Sequence, residues 1–343
     1  MSGSAPLSYM AGGGSRSAQT LQTLAWGFSA ICTAVVVIVA VLILISIRRS
    51  RRAAIVGPDG IAGEGDGLML IWWGLGLSFP VLAAMAVWNF LVTRQLAEPP
   101  SKPGVTIEVT AHQWWWSVRY LAGGANISAA NEVVIPTGVP VRLQLASNDV
   151  IHDFWVPKLG PKMDMIPGQT NQTWLEADRP GVYRGQCAEY CGLEHARMAF
   201  TVRAVTPALF RQWLAHEAQP AYGTNAAFDN AAHSPPSGMS PSGVPSEGPG
   251  AMLPEQTIQA TFESRCGACH AVRGTSAGGI AGPDLTHFGS RGTIAAGWMA
   301  NTLANLDRWL QDPQAVKPGV KMPRVQLTPN ERGRMAAWLE RLS

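Results

Sequence analysis

Two short stretches hold most of the residues able to do chemistry. Residues 187–198 read CAEYCGLEHARM, with two cysteines, a histidine and a methionine. Residues 266–270 read CGACH. Of the five cysteines, only Cys32 lies outside these stretches. Each close pair, Cys187/Cys191 and Cys266/Cys269, has a histidine at short range. That is ligand spacing more than a disulfide framework.

A disulfide between Cys187 and Cys191 would not explain His195 and Met198 at fixed short range. Structural zinc takes Cys and His but not a thioether. A one-copper electron-transfer site uses one Cys, two His and a weak axial Met. Cys191, His195 and Met198 satisfy that loop and leave Cys187 as one thiolate too many. Two coppers absorb the excess, with both thiolates bridging and one imidazole on each metal. The second imidazole must come from elsewhere, and His152, after a strand in ASNDVIHDFWVP, is the natural choice. His112 is the alternative; embedded in a strand beside three tryptophans, it reads as a supporting residue. His216 reads as a surface residue on a later helix and His233 as solvated in a tether. Glu194 and Arg197 read as surface charges.

CGACH is C-x-x-C-H, the attachment signal of a c-type haem. Cys266 and Cys269 add to the porphyrin vinyl groups and His270 ligates iron. The second axial ligand is expected downstream, and Met322 sits in KPGVKMP, a Gly/Pro-rich loop. Met299 falls in a helical pattern and reads as core. His287 reads as a surface or propionate-side histidine. A His/Met pair raises the potential, which suits accepting electrons from another cytochrome. The segment GPDL at 282–285 and the loop-Met-Pro order resemble small class I cytochromes c, which are all-α.

These sites need elements to position them. The chain has 343 residues, 47% hydrophobic and only 14% charged, which directs attention to membrane segments. Leu24–Ile47 and Leu68–Val92 are apolar runs long enough to cross a hydrocarbon core of ~30 Å. A cleaved signal peptide is the rival reading of the first run, but the run is too long and only Arg16 precedes it. Arg48, Arg49, Arg51 and Arg52 between the runs place that loop in the cytoplasm. Both termini and everything after Val92 are then outside, and Trp72, Trp73 and Trp88 fit an interfacial belt. The net charge of +3 is too weak to argue for nucleic-acid binding.

From residue 105 the text turns to short strands with Gly/Pro turns, the mark of a sandwich or barrel. Strands are expected over 105–120, twice within 132–147, and near 170–176, 181–185 and 199–205. A short helix follows at 207–218. The Pro/Ser/Gly-rich stretch 219–252 reads as a tether. Helical patterns then cover 255–265, 294–311 and 329–342, the last opened by Thr328, Pro329 and Glu331 as a capping box. The expected domains are 1–94 with two membrane helices, 95–218, the linker 219–252, and 253–343.

Several segments together resemble subunit II of the haem–copper cytochrome c oxidases. They are HQWWW at 112–116, SNDVIHDFWVP at 147–157, KMDMIPGQTNQTW at 162–174 and RPGVYRGQCAEYCGLEHARM at 179–198. The likeness covers 24–218, and the fused haem segment is similar to the caa3 type. It implies two transmembrane helices, a cupredoxin-like Greek-key barrel with the binuclear copper A centre, and a class I cytochrome c domain. By resemblance, Cys187 and Cys191 bridge the coppers and His152 and His195 bind one each. Met198 and the Glu189 carbonyl are weak axial ligands. The Glu189 carboxylate faces a Mg²⁺ or Mn²⁺ shared with the catalytic subunit, and Asp164 supports that interface by a hydrogen bond. Trp114 is implied as the electron entry, with Trp116 packing nearby on the same face.

The resemblance implies an electron relay: cytochrome c or a bc1-type complex, the fused haem, copper A, then subunit I. Oxygen reduction and proton pumping lie in subunit I, with subunit III a further partner and the cell membrane the location. A copper A nitric oxide reductase subunit and a copper-binding assembly protein are the rival readings; the fused haem argues against the second. One departure stands out. The family often carries a Glu just before the Trp opening the second helix, near a proton channel. Here Met69 and Leu70 lie near that place, which puts proton entry through this chain in doubt.

Overall fold

The computed structural model describes residues 12–52, 67–122, 125–221 and 255–343. Most of the expected tether, and His233 with it, lies outside the described residues. Two long helices come first, α1 (Arg16–Arg52) and α2 (Gly67–Ala97). Both run past the apolar stretches that nucleate them. Their faces stay uncovered: Val36, Leu77 and Phe79 are each more than half exposed. Such surfaces are tolerated where lipid covers them. The helices touch through Phe28 and Trp88, edge to face at 5.7 Å.

The outer ends of the helices are tied to the β domain. Ser15 Oγ, just before α1, donates to Leu159 O at 2.6 Å, and Gly14 N donates to Lys158 O at 2.7 Å. At the end of α2, Leu96 O accepts from Trp174 Nε1 at 2.9 Å. The start of α1 and the end of α2 therefore share one side, as the arginine loop requires.

The β domain holds two five-stranded sheets, formed by β1 (Val105–His112), β2 (Trp115–Ala122), β3 (Ala125–Ala130), β4 (Glu132–Pro136), β5 (Val141–Ser147), β6 (His152–Trp155), β7 (Met163–Met165), β8 (Asn171–Leu175), β9 (Gly181–Cys187) and β10 (Ala199–Val205). Their orders are β3-β2-β1-β5-β8 and β4-β10-β9-β6-β7. Alternation drives the packing: Val141, Leu143 and Leu145 of β5 are all fully buried, with polar residues between. The expected strand 105–120 is an antiparallel hairpin, and Trp114 sits in its turn, not on a strand. α3 (Pro207–Glu217) closes the domain, capped by Thr206 Oγ1.

The C-terminal domain packs α4 (Glu255–Arg265), α5 (Leu303–Gln311), the short α6 (Pro313–Val316) and α7 (Pro329–Glu340) around Phe262 and Trp338, whose rings are 5.0 Å apart. The expected capping box on α7 forms, with Glu331 N donating to Thr328 Oγ1 and Thr328 N to Glu331 Oε2. The domain is not wholly helical. The expected helix 294–311 is a hairpin of β11 (Thr293–Ile294) and β12 (Met299–Ala300), followed by α5. Ala295, Ala296 and Gly297 all take positive φ, which breaks the helical pattern and turns the chain. Met299 therefore lies on a strand, partly buried against the domain core.

Candidate metal centres and the interface between them

Strand pairing assembles the first centre. In the β6–β9 register Phe154 faces Cys187, which brings His152 beside the loop that follows β9. His152 Nδ1 lies 3.8 Å from Cys187 Sγ, and the two sulfurs of Cys187 and Cys191 are 3.7 Å apart. His195 Nδ1 stands 3.6 Å and Met198 Sδ 3.8 Å from Cys191 Sγ. Glu189 O is 3.2 Å from Cys187 Sγ. The cysteines are free, well beyond the ~2.05 Å of a disulfide bond. Donors ~2.0–2.3 Å from a tetrahedral cation stand ~3.5–3.8 Å from one another. This soft donor set fits shared copper on chemistry and on spacing.

His152, Cys187, Cys191 and Met198 are buried in the core of the sandwich. Trp116, Phe154 and Phe200 form an aromatic floor, with Trp116 6.3 Å from the His152 ring. Asp149 Oδ1 lies 2.9 Å from His152 Nε2. That contact directs Nδ1 toward the sulfurs, as carboxylate partners of ligating histidines do. Burial pulls the His152 pKa down, but the Cys187 and Asp149 side chains outweigh it, so the net shift is upward. Between the thiols, the hydrogen bond from Cys191 drives Cys187 toward thiolate and holds Cys191 protonated. A bound cation replaces that shared proton.

Asp164 is exposed and interacts with buried Asp153, its register partner. Burial, with Asp164 adding to it and Lys162 opposing, raises Asp153 to about 7. Asp149 is the carboxylate that supports the site; its place three residues before His152 was the available signal. Glu194 is buried, not a surface charge, paired with Arg197 at 3.3 Å. His112 stacks on Trp115 and contacts Asn148, away from the thiols.

The second centre is a cavity of about 310 Å³ lined by Cys266, Cys269, His270 and Met322. His270 Nδ1 lies 2.8 Å from Pro283 O, which leaves Nε2 for a metal. A Cβ on Gly282 would come within 2.7 Å of the imidazole, so only glycine lets the ring sit there. Burial lowers the His270 pKa and raises Cys266 to about 11. Paired thiols, an imidazole and a thioether around an apolar cavity fit a covalent haem.

The β domain supplies part of this cavity wall, through Gln113, Trp114 and Trp115. Trp114 Nε1 also donates to Cys191 O at 3.0 Å. Lys317 Nζ donates to Trp114 O at 3.0 Å and is only 1% exposed. Lys321 Nζ reaches Asp149 Oδ2 at 3.3 Å, and Ala199 N donates to Ala296 O at 2.9 Å. Gly319 takes the left-handed φ of +83° that favours glycine, and a Cβ there would sit 3.1 Å from Leu193 Cδ2 and 3.5 Å from the Trp114 ring. His287 is buried at 2% exposure against the end of α3, not at the surface.

Fold and sites together define a membrane-anchored electron-transfer protein, with a cupredoxin-like domain docked on a cytochrome c-like domain. Residues 121–205 match the family described as Cytochrome C oxidase subunit II, periplasmic domain, and residues 256–343 match Cytochrome c. Cytochrome c oxidase subunit 2 of Alkalihalophilus pseudofirmus is 36% identical over 295 residues, covering 84% of this chain and 76% of the relative. The same subunit of Bacillus sp. strain PS3 is 34% identical, covering 76% and 69%. The solved periplasmic domain of subunit II from Bradyrhizobium japonicum is 35% identical with a TM-score of 0.33, covering 34% of this chain and 95% of that one. The chain belongs to the cytochrome c oxidase subunit 2 family, with a fused cytochrome c domain. The first domain implies copper A and the second haem.

Proposed function

We propose that Cys187 and Cys191 bridge two coppers, with His152 and His195 on one metal each and Met198 and the Glu189 carbonyl as weak axial ligands. Cys266 and Cys269 hold the haem covalently, with His270 and Met322 as axial ligands. When bound, these groups supply reversible one-electron chemistry in two fixed places. The chain contributes rigidity: the copper-side residues lie in a close-packed core whose aromatic floor excludes water. Ligands held this way have little room to rearrange when the charge changes.

Trp114 is the electron route between the two centres. One observation carries this reading: Trp114 lines the haem-side cavity and its Nε1–H is bonded to the backbone of Cys191. Electrons arrive from cytochrome c or a bc1-type complex and leave to subunit I, where oxygen is reduced and protons are pumped. Subunit III and membrane lipid complete the surroundings. The exposed Glu189 carboxylate binds a Mg²⁺ or Mn²⁺ shared with subunit I, and Asp164 supports that face. The domain limits are 95–218 and 253–343, joined by 219–252.

Metal and haem analysis with EPR on the full chain tests this. Two coppers with a mixed-valence signal and one covalent haem are expected. Cys187→Ser removes the mixed-valence signal. One copper or none in the wild type, with haem that cannot reduce it, overturns the relay.

A further inference from the structure

Among the described residues, one more group of metal-ligating side chains converges, and it shares no residue with either centre. His216 and Glu217 end α3 in the β domain, and His287 belongs to the C-terminal domain. One donor atom from each lies within 4.8 Å of the others. The two imidazole rings are 4.8 Å apart. His287 Nε2 stands 3.9 Å from Glu217 Oε2, beyond hydrogen-bond reach. Both ring nitrogens of His287 are buried, and neither has a hydrogen-bond partner of good geometry, the backbone of Ser343 and Gln219 lying near the ring. Buried polar groups are nearly always well satisfied, so an imidazole held this loosely beside a second imidazole and a carboxylate points to a ligand.

An ordinary ion pair does not account for the cluster. Burial, then His216 and Arg273, push the His287 pKa down to about 4 against the raising effect of the Ser343 and Gln219 backbone, so the ring is neutral at pH 7. Burial also raises Glu217 to about 7, although Arg291 and Arg273 oppose it. The surrounding charges are balanced: Arg203, Arg273 and Arg291 lie near Glu132, Asp284 and Glu217. A neutral imidazole beside a carboxylate is the state a metal ion binds.

We propose that His216, Glu217 and His287 form a site for one divalent transition cation of the zinc class, which bridges the two extramembrane domains. Two imidazoles and a carboxylate suit zinc, with water in the fourth position. The absence of a thiolate disfavours copper(I). Nitrogen and oxygen donors ~2.0–2.1 Å from a tetrahedral ion stand ~3.4 Å apart, so the set must contract by up to ~1.4 Å. His216, half-buried at the helix end, supplies that movement. The bridge joins α3 to the domain bearing His270, and so holds Trp114 against the cavity.

The test equilibrates the purified full oxidase complex with micromolar Zn²⁺, removes the excess and measures zinc against iron by elemental analysis. Wild type is compared with His287→Ala and with His216→Gln. Each variant is expected to carry one zinc fewer per chain, with copper and haem spectra unchanged. Loss of a hydrogen-bond partner behind a ligand already costs ~10–100-fold in affinity, so loss of a ligand raises Kd at least tenfold. His216→Gln changes a half-exposed residue and decides the matter if the buried variant fails to assemble. Equal zinc in wild type and His216→Gln overturns the proposal.

Discussion

The indole Nε1–H of Trp114 donates to the carbonyl oxygen of Cys191 at 3.0 Å, while the same residue lines the cavity that holds His270 and Met322. Both centres therefore share one residue. Trp114→Phe keeps an aromatic wall and deletes the donor. The lost hydrogen bond costs ~1 kcal/mol of stability. Haem-to-copper electron transfer, followed by stopped-flow absorbance, slows about tenfold, the equivalent of ~1.4 kcal/mol of barrier. An unchanged rate with both metals bound would remove Trp114 from the route.

Asp149 orients His152 from behind and also meets Lys321. Asp149→Asn keeps the shape and weakens the hold on Nε2. Copper affinity, read by competition with a chelator, falls ~10–100-fold. The haem content stays constant, because Asp149 does not line the cavity.

Lys317 keeps its ammonium in the interface, on Trp114 O and Ala295 O. Burial brings its pKa down from 10.5 to about 8. Below pH 8 both folded and unfolded states are protonated, and the folded state bears the full cost of a dry cation. Between pH 8 and 10.5 the unfolded chain binds more protons, so this group's contribution to stability rises with pH. The gain is of order 3 kcal/mol at 1.36 kcal/mol per unit. Denaturant unfolding of the full chain should show wild type gaining on Lys317→Met over this window. A constant difference between them would show that Lys317 does not titrate there.

Glu189 offers its carbonyl to the copper side while its side chain is exposed. Glu189→Gln should leave the copper EPR signal in place and abolish the Mn²⁺ signal of complex grown on manganese. Loss of both signals together would mean that the side chain has a structural role at the copper loop.

Local chemistry was legible along the chain. CAEYCGLEHARM is one loop, so the spacing of Cys187, Cys191, His195 and Met198 survives folding unchanged. C-x-x-C-H is equally local, and the capping box at Thr328 formed as read. The apolar runs and strand alternation followed from period and length. The misreadings have one cause, since burial and turn geometry depend on distant neighbours. Glu194 and His287 look like solvated groups until another domain covers them. The helical pattern over 294–311 gave way where three successive residues took positive φ. Trp114 looked like a strand residue because aromatic content does not mark a hairpin turn.

The sequence by itself determined the donor types, the two membrane helices and the family, because these rest on residue identity at short range. Tertiary structure decided three further things. The β6–β9 register brings His152 to the thiols, and Asp149 behind it aims the ring. The docking of the C-terminal domain places Trp114 between the cavity and Cys191, with Lys317 buried beside it. That same docking brings His287 to the end of α3. Each of these joins residues far apart in the chain, and only the free energy of packing the whole molecule brings them together.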